Sequence, residues 1–250
     1  MLLNDAANGT SNLAATLKAI YSKRDNHILP FVGAAFDHPA SDKLRVLVVG
    51  INAYVSANDW DKINPAWFAR WFEHSAHRFY KGVKEEATNL AAALVDRSEA
   101  LHGMKLVWPD SFYATNAIKT YLPEADGKRA DQVSPEPPDE HASTWRDELD
   151  AIAEHGALPH LIVIFGEPFW KHAWSAFKPP HSDNYKHLRV LDHQHTNGPS
   201  LHFVNRLRPG GANGEQTALL VRLRHPSSRT KKGSVSWLLA QKDPWSLAKG

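Results

Sequence analysis

The chain has 250 residues, no cysteine, and 29 basic against 27 acidic side chains, for a formal net charge of +2 with histidine neutral. The lack of cysteine excludes disulfides, thiolate zinc sites and cysteine-ligated iron–sulfur clusters, and so small a charge does not by itself nominate a nucleic-acid partner. Hydrophobic residues at 42% and charged residues at 22% suit a soluble globular chain, long enough for one α/β domain with a substantial core.

Residues 1–43 read as an N-terminal helical extension without the basic and apolar segments of a secretory signal. No apolar run reaches membrane-spanning length, so the expectation is a cytoplasmic protein with no membrane partner. Residues 44–49, Leu-Arg-Val-Leu-Val-Val, form a nearly continuous β-branched run ending at Gly50, the pattern of a strand covered on both faces. A helix over 64–72 follows, with Asn64 as its cap, Pro65 in its first turn, and Trp67, Phe68, Trp71 and Phe72 on one face. A second helix is expected over 85–97 and a second strand over 112–115.

Residues 124–142, with Pro135, Pro137 and Pro138, read as a Pro-rich surface insertion. A third helix is predicted over 144–155, because Thr144 and Asp147 have capping-box spacing and Gly156 is placed to end it. Strands at 161–165, 188–191 and 218–223, helices at 168–177 and 234–241, and a glycine-rich loop over 206–216 complete the order. Alternating strands and helices predict an α/β fold, a three-layer α/β/α sandwich around a central, mainly parallel sheet, in one domain spanning 1–250. Such sheets carry their sites at the carboxyl ends of the strands.

Those ends hold distinctive motifs. Gly50-Ile-Asn-Ala-Tyr54 follows the first strand, Thr115-Asn-Ala-Ile-Lys119 the second, Phe165-Gly-Glu167 the third, and His225-Pro-Ser-Ser-Arg229 the last. Around the last motif basic residues gather: Arg206, Arg208, Arg222, Arg224, Arg229, Lys231 and Lys232 stand against the single acidic Glu215. Together and in this order the motifs resemble the uracil-DNA glycosylase superfamily, closest to its mismatch-specific and single-strand-selective monofunctional branches. The first matches the glycine-any-asparagine turn of those branches and the last resembles their His-Pro-Ser loop. The resemblance covers residues 44–239 and departs from the family at Ala53, where proline is usual.

The resemblance implies a cofactor-free and metal-free enzyme that flips a pyrimidine out of DNA and hydrolyses its N-glycosidic bond, with Asn52 and His225 as the catalytic pair. Cleaving that bond develops positive charge on the sugar and negative charge on the departing base. An asparagine amide can orient a water but lacks the basicity to deprotonate it, so stabilising the leaving base falls to a donor such as neutral His225. By the same resemblance Asn116 reads the Watson–Crick edge of the flipped base, Tyr54 crowds its C5 position, and Phe112 or another aromatic stacks on it. Arg229 is the candidate for the space left in the DNA, with Ser227, Ser228, Lys231 and Lys232 on phosphates.

Uracil is the expected base; a 5-modified pyrimidine of bacteriophage DNA, excised in antiviral defence, is the alternative, and a module binding modified DNA without cutting it is a third reading. The run Asp192-His193-Gln194-His195, with His187, raises metal-dependent hydrolysis, but no extended metallohydrolase signature accompanies it. Lys119 raises a Schiff-base lyase step; nothing in its sequence context lowers its pKa, so a monofunctional, monomeric enzyme is expected.

Overall fold

The computed structural model describes residues 12–24, 27–39, 42–50, 54–55, 67–74, 78–97, 101–117, 119, 122–123, 139–165, 185–192, 200–206 and 217–223. Its centre is β2 (Val46–Gly50), buried along its whole length as the apolar run predicts. β2 pairs in parallel with β4 (Phe112–Asn116) on one side and β6 (Leu161–Phe165) on the other, and β6 pairs in parallel with β9 (Thr217–Leu223). Antiparallel strands finish both edges: β1 (Phe31–Val32) beside β4, and β8 (Ser200–Arg206) then β7 (Tyr185–Asp192) beyond β9. The seven-stranded order is β1-β4-β2-β6-β9-β8-β7. The parallel arrangement expected from sequence is therefore that of the four central strands.

Successive side chains of β2 point to opposite faces, and each face has its own core. Val46 and Val48, with Phe112 and Ala114, pack against Phe72 of α3 (Trp67–His74) and Val83, Ala87, Leu90 and Ala91 of α4 (Arg78–Arg97). Leu47 and Val49, with Tyr113, Ile162 and Ile164, pack against Leu13 and Leu17 of α1 (Leu13–Tyr21) and Trp145, Leu149 and Ile152 of α5 (Asp139–Glu154). The connection from β2 to β4 thus runs over one face and that from β4 to β6 over the other. No helix among the described residues is long and apolar enough to cross a membrane.

The extension read over residues 1–43 contains α1, whose Leu13, Leu17 and Tyr21 are buried at four-residue spacing. Asn12 caps α1 by accepting from the Ala15 amide at 2.9 Å, and Asp37, at the end of α2 (Ala34–Asp37), accepts from the Ala14 amide at 3.0 Å. Three helix predictions shift: the first helix is described over Trp67–His74, and its expected cap Asn64 and first-turn Pro65 lie outside the described residues. The second helix begins at Arg78, and α5 begins at Asp139, so Thr144 is not a cap; its hydroxyl donates to the Glu140 carbonyl at 2.9 Å one turn inside the helix. Gly156 does end α5: at φ +66° it lets its own amide reach the Ala153 carbonyl and that of Ala157 reach Ile152. The strand β8 was not predicted, and the helices read over 168–177 and 234–241 lie outside the described residues.

At the amino ends of β2 and β6, His160 Nδ1 accepts the Arg45 amide at 3.0 Å, and the Arg45 side chain donates to the Leu158 carbonyl at 2.8 Å. Burial and the Arg45 charge lower the pKa of His160 to about 4, and burial with the nearby His27 and Lys119 lowers that of His141 to about 4. An unfolded imidazole titrates near pH 6.5, so between about 6.5 and 4 the unfolded chain takes up protons that the folded one refuses. The stability these histidines contribute is complete above the upper value and is lost as pH falls to the lower. Urea midpoints should drop over this window, and His160→Asn, which keeps an acceptor but cannot titrate, should flatten the slope; an unchanged slope would remove His160 from the linkage.

Candidate functional site

β2 and β4 are neighbours whose connecting helices cover opposite faces of the sheet, so their carboxyl ends form a topological switch point, the place where sheets of this kind carry their sites. The last register pair at that end is Gly50↔Asn116. The ladder is prolonged by the Ala117 amide, which donates to the Gly50 carbonyl at 3.0 Å. Past the switch point, β3 (Tyr54–Val55) and β5 (Leu122–Pro123) pair in parallel, so the segments leaving β2 and β4 come together again.

Asn116 is 3% exposed, and its Nδ2 has no hydrogen-bond partner among the described residues. Its Oδ1 lies against Gly50, so close that a β-carbon there would stand 2.6 Å from it. Leaving a buried amide donor unsatisfied costs about 1–3 kcal/mol. The switch point therefore carries a buried donor with no partner among the described residues.

One residue earlier, Thr115 faces the other side of the sheet and belongs to a buried polar cluster. Lys119 Nζ donates to Glu148 Oε2 at 2.7 Å and to Thr115 Oγ1 at 2.6 Å, and Thr115 Oγ1 donates to Glu148 Oε1 at 3.0 Å. The Tyr21 hydroxyl donates to Glu148 Oε1, and the Lys119 ammonium lies 5.2 Å from the centre of the Trp145 ring. Lys119 and Glu148 side chains are 1% and 0% exposed. Burial lowers the Lys119 pKa, with Glu148 pulling the other way; burial and the Glu148 charge hold the Tyr21 and Tyr113 hydroxyls protonated well above their usual range. A means of lowering the Lys119 pKa thus exists, contrary to the sequence reading, but the amine is spent on Glu148 and Thr115.

Of the residues predicted from sequence, Asn116 lies at the carboxyl end of β4 and the backbone of Tyr54 lies just beyond the same end, in β3. Phe112 does not join them. It begins β4 at the opposite end of the strand, fully buried with ring centroids 4.9 Å from Trp108 and 6.3 Å from Phe72, so it is a core residue that cannot stack on a base beside Asn116. Tyr113 is likewise fully buried, in the α1/α5 core. Asn52, His225, Ser227, Ser228, Arg229, Lys231 and Lys232 lie outside the described residues, as do His193 and His195. Among the described residues no group of three or more His, Asp and Glu side chains is arranged to hold a metal ion.

Sequence reasoning missed Glu148. A signal was present, since Glu148 falls among Thr144, Trp145, Leu149 and Ile152 on the buried stripe of α5, where a carboxylate needs a partner. No protein-family model matches the chain, and no curated protein is significantly similar to it.

Removing one member of a buried ion pair strands the other, at a cost of about 3–5 kcal/mol. Lys119→Met and Glu148→Leu should each lower unfolding stability on that scale, and the double variant should lose clearly less than the sum. Additive losses in urea titrations would show the two groups to be uncoupled.

Proposed function

We propose that the protein is a monofunctional DNA glycosylase of the uracil-DNA glycosylase type, a single-domain, monomeric enzyme that extrudes a pyrimidine and hydrolyses its N-glycosidic bond. The observation that carries this reading is the buried, unpartnered Asn116 Nδ2 at the carboxyl end of β4, beside β2. A base edge is a ligand that supplies the missing acceptor, and a flipped base recovers part of its unstacking cost by filling such a site. Asn52 lies two residues along the chain from Gly50 and two from Tyr54. Its part is to orient the attacking water. His225 lies two residues beyond β9, whose carboxyl end is on the same side of the sheet as those of β2 and β4. With two strand spacings between β9 and β2, about 10 Å, a base held at the switch point lies within range of donors from both loops. His225 donates to the base as negative charge develops on it.

The basic segment through Arg229, Lys231 and Lys232 supplies phosphate contacts, with Ser227 and Ser228 as hydroxyl donors and Arg229 as the wedge. Tyr54, in β3 beside the switch point, is the candidate for limiting what the base carries at C5.

The test is a panel of oligonucleotides carrying uracil, thymine and 5-substituted pyrimidines, scored for alkali-labile abasic sites. Asn52→Ala should abolish most turnover while retaining DNA binding, and His225→Ala should slow single-turnover cleavage by roughly 10²–10³-fold with little change in affinity. Arg229→Ala should impair duplex substrates more than single strands, because a base in a single strand needs less help to leave its neighbours. Full cleavage by Asn52→Ala, or no cleavage of any substrate by the wild type, would overturn the reading.

A further inference from the structure

The hairpin of β7 and β8 extends the sheet two strands beyond β9, and its register assigns its residues to faces. Residues paired across neighbouring strands share a face, and successive residues alternate. Val221 and Leu223 of β9 are buried in the core under α3 and α4, whereas Ala218 and Leu220 are buried in the core under α1 and α5. Leu201 pairs with Val221 and Phe203 with Leu219, and Leu191 and Leu188 of β7 pair with Leu201 and Phe203, so these four apolar positions continue the α3/α4 face. The α1/α5 face changes character beyond Leu220. Along β8 it carries Ser200 and His202, paired with Arg222 and Leu220, and along β7 it carries His187, Arg189 and Asp192, paired with Val204, His202 and Ser200. An antiparallel hairpin that is apolar on one face and polar on the other packs through the first and gives the second to water.

On this face Arg222 stands one residue before the end of β9, on the same side of the sheet as the carboxyl ends of β2 and β4. Arg189 lies two strands across and two residues along from it, a separation of about 12 Å. Asp192 is the one acidic residue among the described positions of this face on β7, β8 and β9. Arg206 closes the other end of β8, about 20 Å from Arg222 along the strand and away from the carboxyl ends.

We propose that the polar face of β7, β8 and β9 is a second DNA-binding surface, holding the phosphodiester backbone that flanks the extruded base. The partner rests on the glycosylase reading, while the surface is separate from the loops which that reading uses. Arg222 and Arg189 are its anchors, with Ser200 and His202 placed between them. Two guanidinium groups spaced about 12 Å apart suit a chain of recurring phosphates rather than a single anion. Such contacts set position and carry no sequence information. Four strand spacings separate β2 from β7, about 19 Å, which places the bound phosphates about five or six base pairs from the flipped nucleotide.

The experiment titrates a DNA duplex that carries no target base, over a series of salt concentrations, so that binding is read without excision. Each phosphate contact removed lowers the slope of log affinity against log salt by about 0.9. Arg189→Ala, on the edge strand, should show that loss; Arg222→Ala should show the same, and Arg222→Lys should restore it. Asp192→Asn should tighten binding, because it removes a negative charge beside the phosphates. Arg206→Ala should leave the slope as it is in the wild type. If Arg222→Ala does not fold, Arg189→Ala and Asp192→Asn decide the matter without it. An unchanged slope in Arg189→Ala, weaker binding by Asp192→Asn, or an equal loss in Arg206→Ala, the mark of a diffuse charge effect, would each overturn the proposal. So would a wild type that binds no duplex. A wild type that binds with these slopes yet releases no base would sink the glycosylase reading and leave the surface standing.

Discussion

A strand buried on both faces has only its two edges through which to satisfy its backbone, and β2 is such a strand. Val46 through Gly50 pair with β4 on one side while Val46 through Val49 pair with β6 on the other, both in parallel. Parallel neighbours cannot be joined by hairpins, so each join must leave the sheet, cross a face and return. The first crossing lays α3 and α4 over Val46 and Val48; the second lays α5 over Leu47 and Val49, where α1 also docks. The switch point between β2 and β4 follows from those opposite crossings. Its location is a consequence of covering both faces of one apolar strand.

The two faces carry different electrostatic solutions. On the α1/α5 side a carboxylate and an ammonium lie wholly within the protein, a placement tolerable only because every neighbour contributes: Thr115 both accepts and donates, Tyr21 donates, and the Trp145 ring faces the cation. Lys119 is held further through its backbone, whose carbonyl accepts the Ile28 amide at 2.5 Å and whose amide approaches His141 Nδ1 at 3.4 Å. The cluster therefore ties α1, α5 and the segment following β4 to one another. It fixes the strand end that carries Asn116 while standing on the opposite face from it.

How much of this was legible in the sequence depended on how local each signal is. The central strands were read because both-sided burial leaves an uninterrupted apolar run, and the end of α5 because Gly156 occupies a left-handed conformation that glycine adopts without penalty. β8 was missed for the complementary reason. Its sequence Ser-Leu-His-Phe-Val-Asn-Arg intersperses polar and apolar residues, as antiparallel strands commonly do, and presents no continuous run. Thr144 was misread as a cap because serine and threonine inside a helix mimic that role, here by bonding back to Glu140. The place of Asn116 at a strand end was legible from the run before it, whereas Phe112 was not separable from a base-stacking aromatic until its neighbours Phe72 and Trp108 were known. The Lys119–Glu148 pair joins residues 29 apart in sequence, beyond the reach of any local pattern.

The contrast between Thr115 and Asn116 bears on function more directly than either residue alone. They are consecutive on one strand, both buried and both polar. Thr115 Oγ1 is engaged by both Lys119 and Glu148, whereas Asn116 Nδ2, like Tyr113 Oη and Thr88 Oγ1, is buried with no partner among the described residues. Buried unsatisfied groups are rare because each subtracts from a net stability of only about 5–15 kcal/mol, and those that persist concentrate where a ligand completes them. Asn116 sits at the carboxyl end of β4, against a glycine that leaves room for its oxygen, with Nδ2 unpartnered among the described residues. That combination is the physical basis of the proposed base binding at the carboxyl ends of β2 and β4.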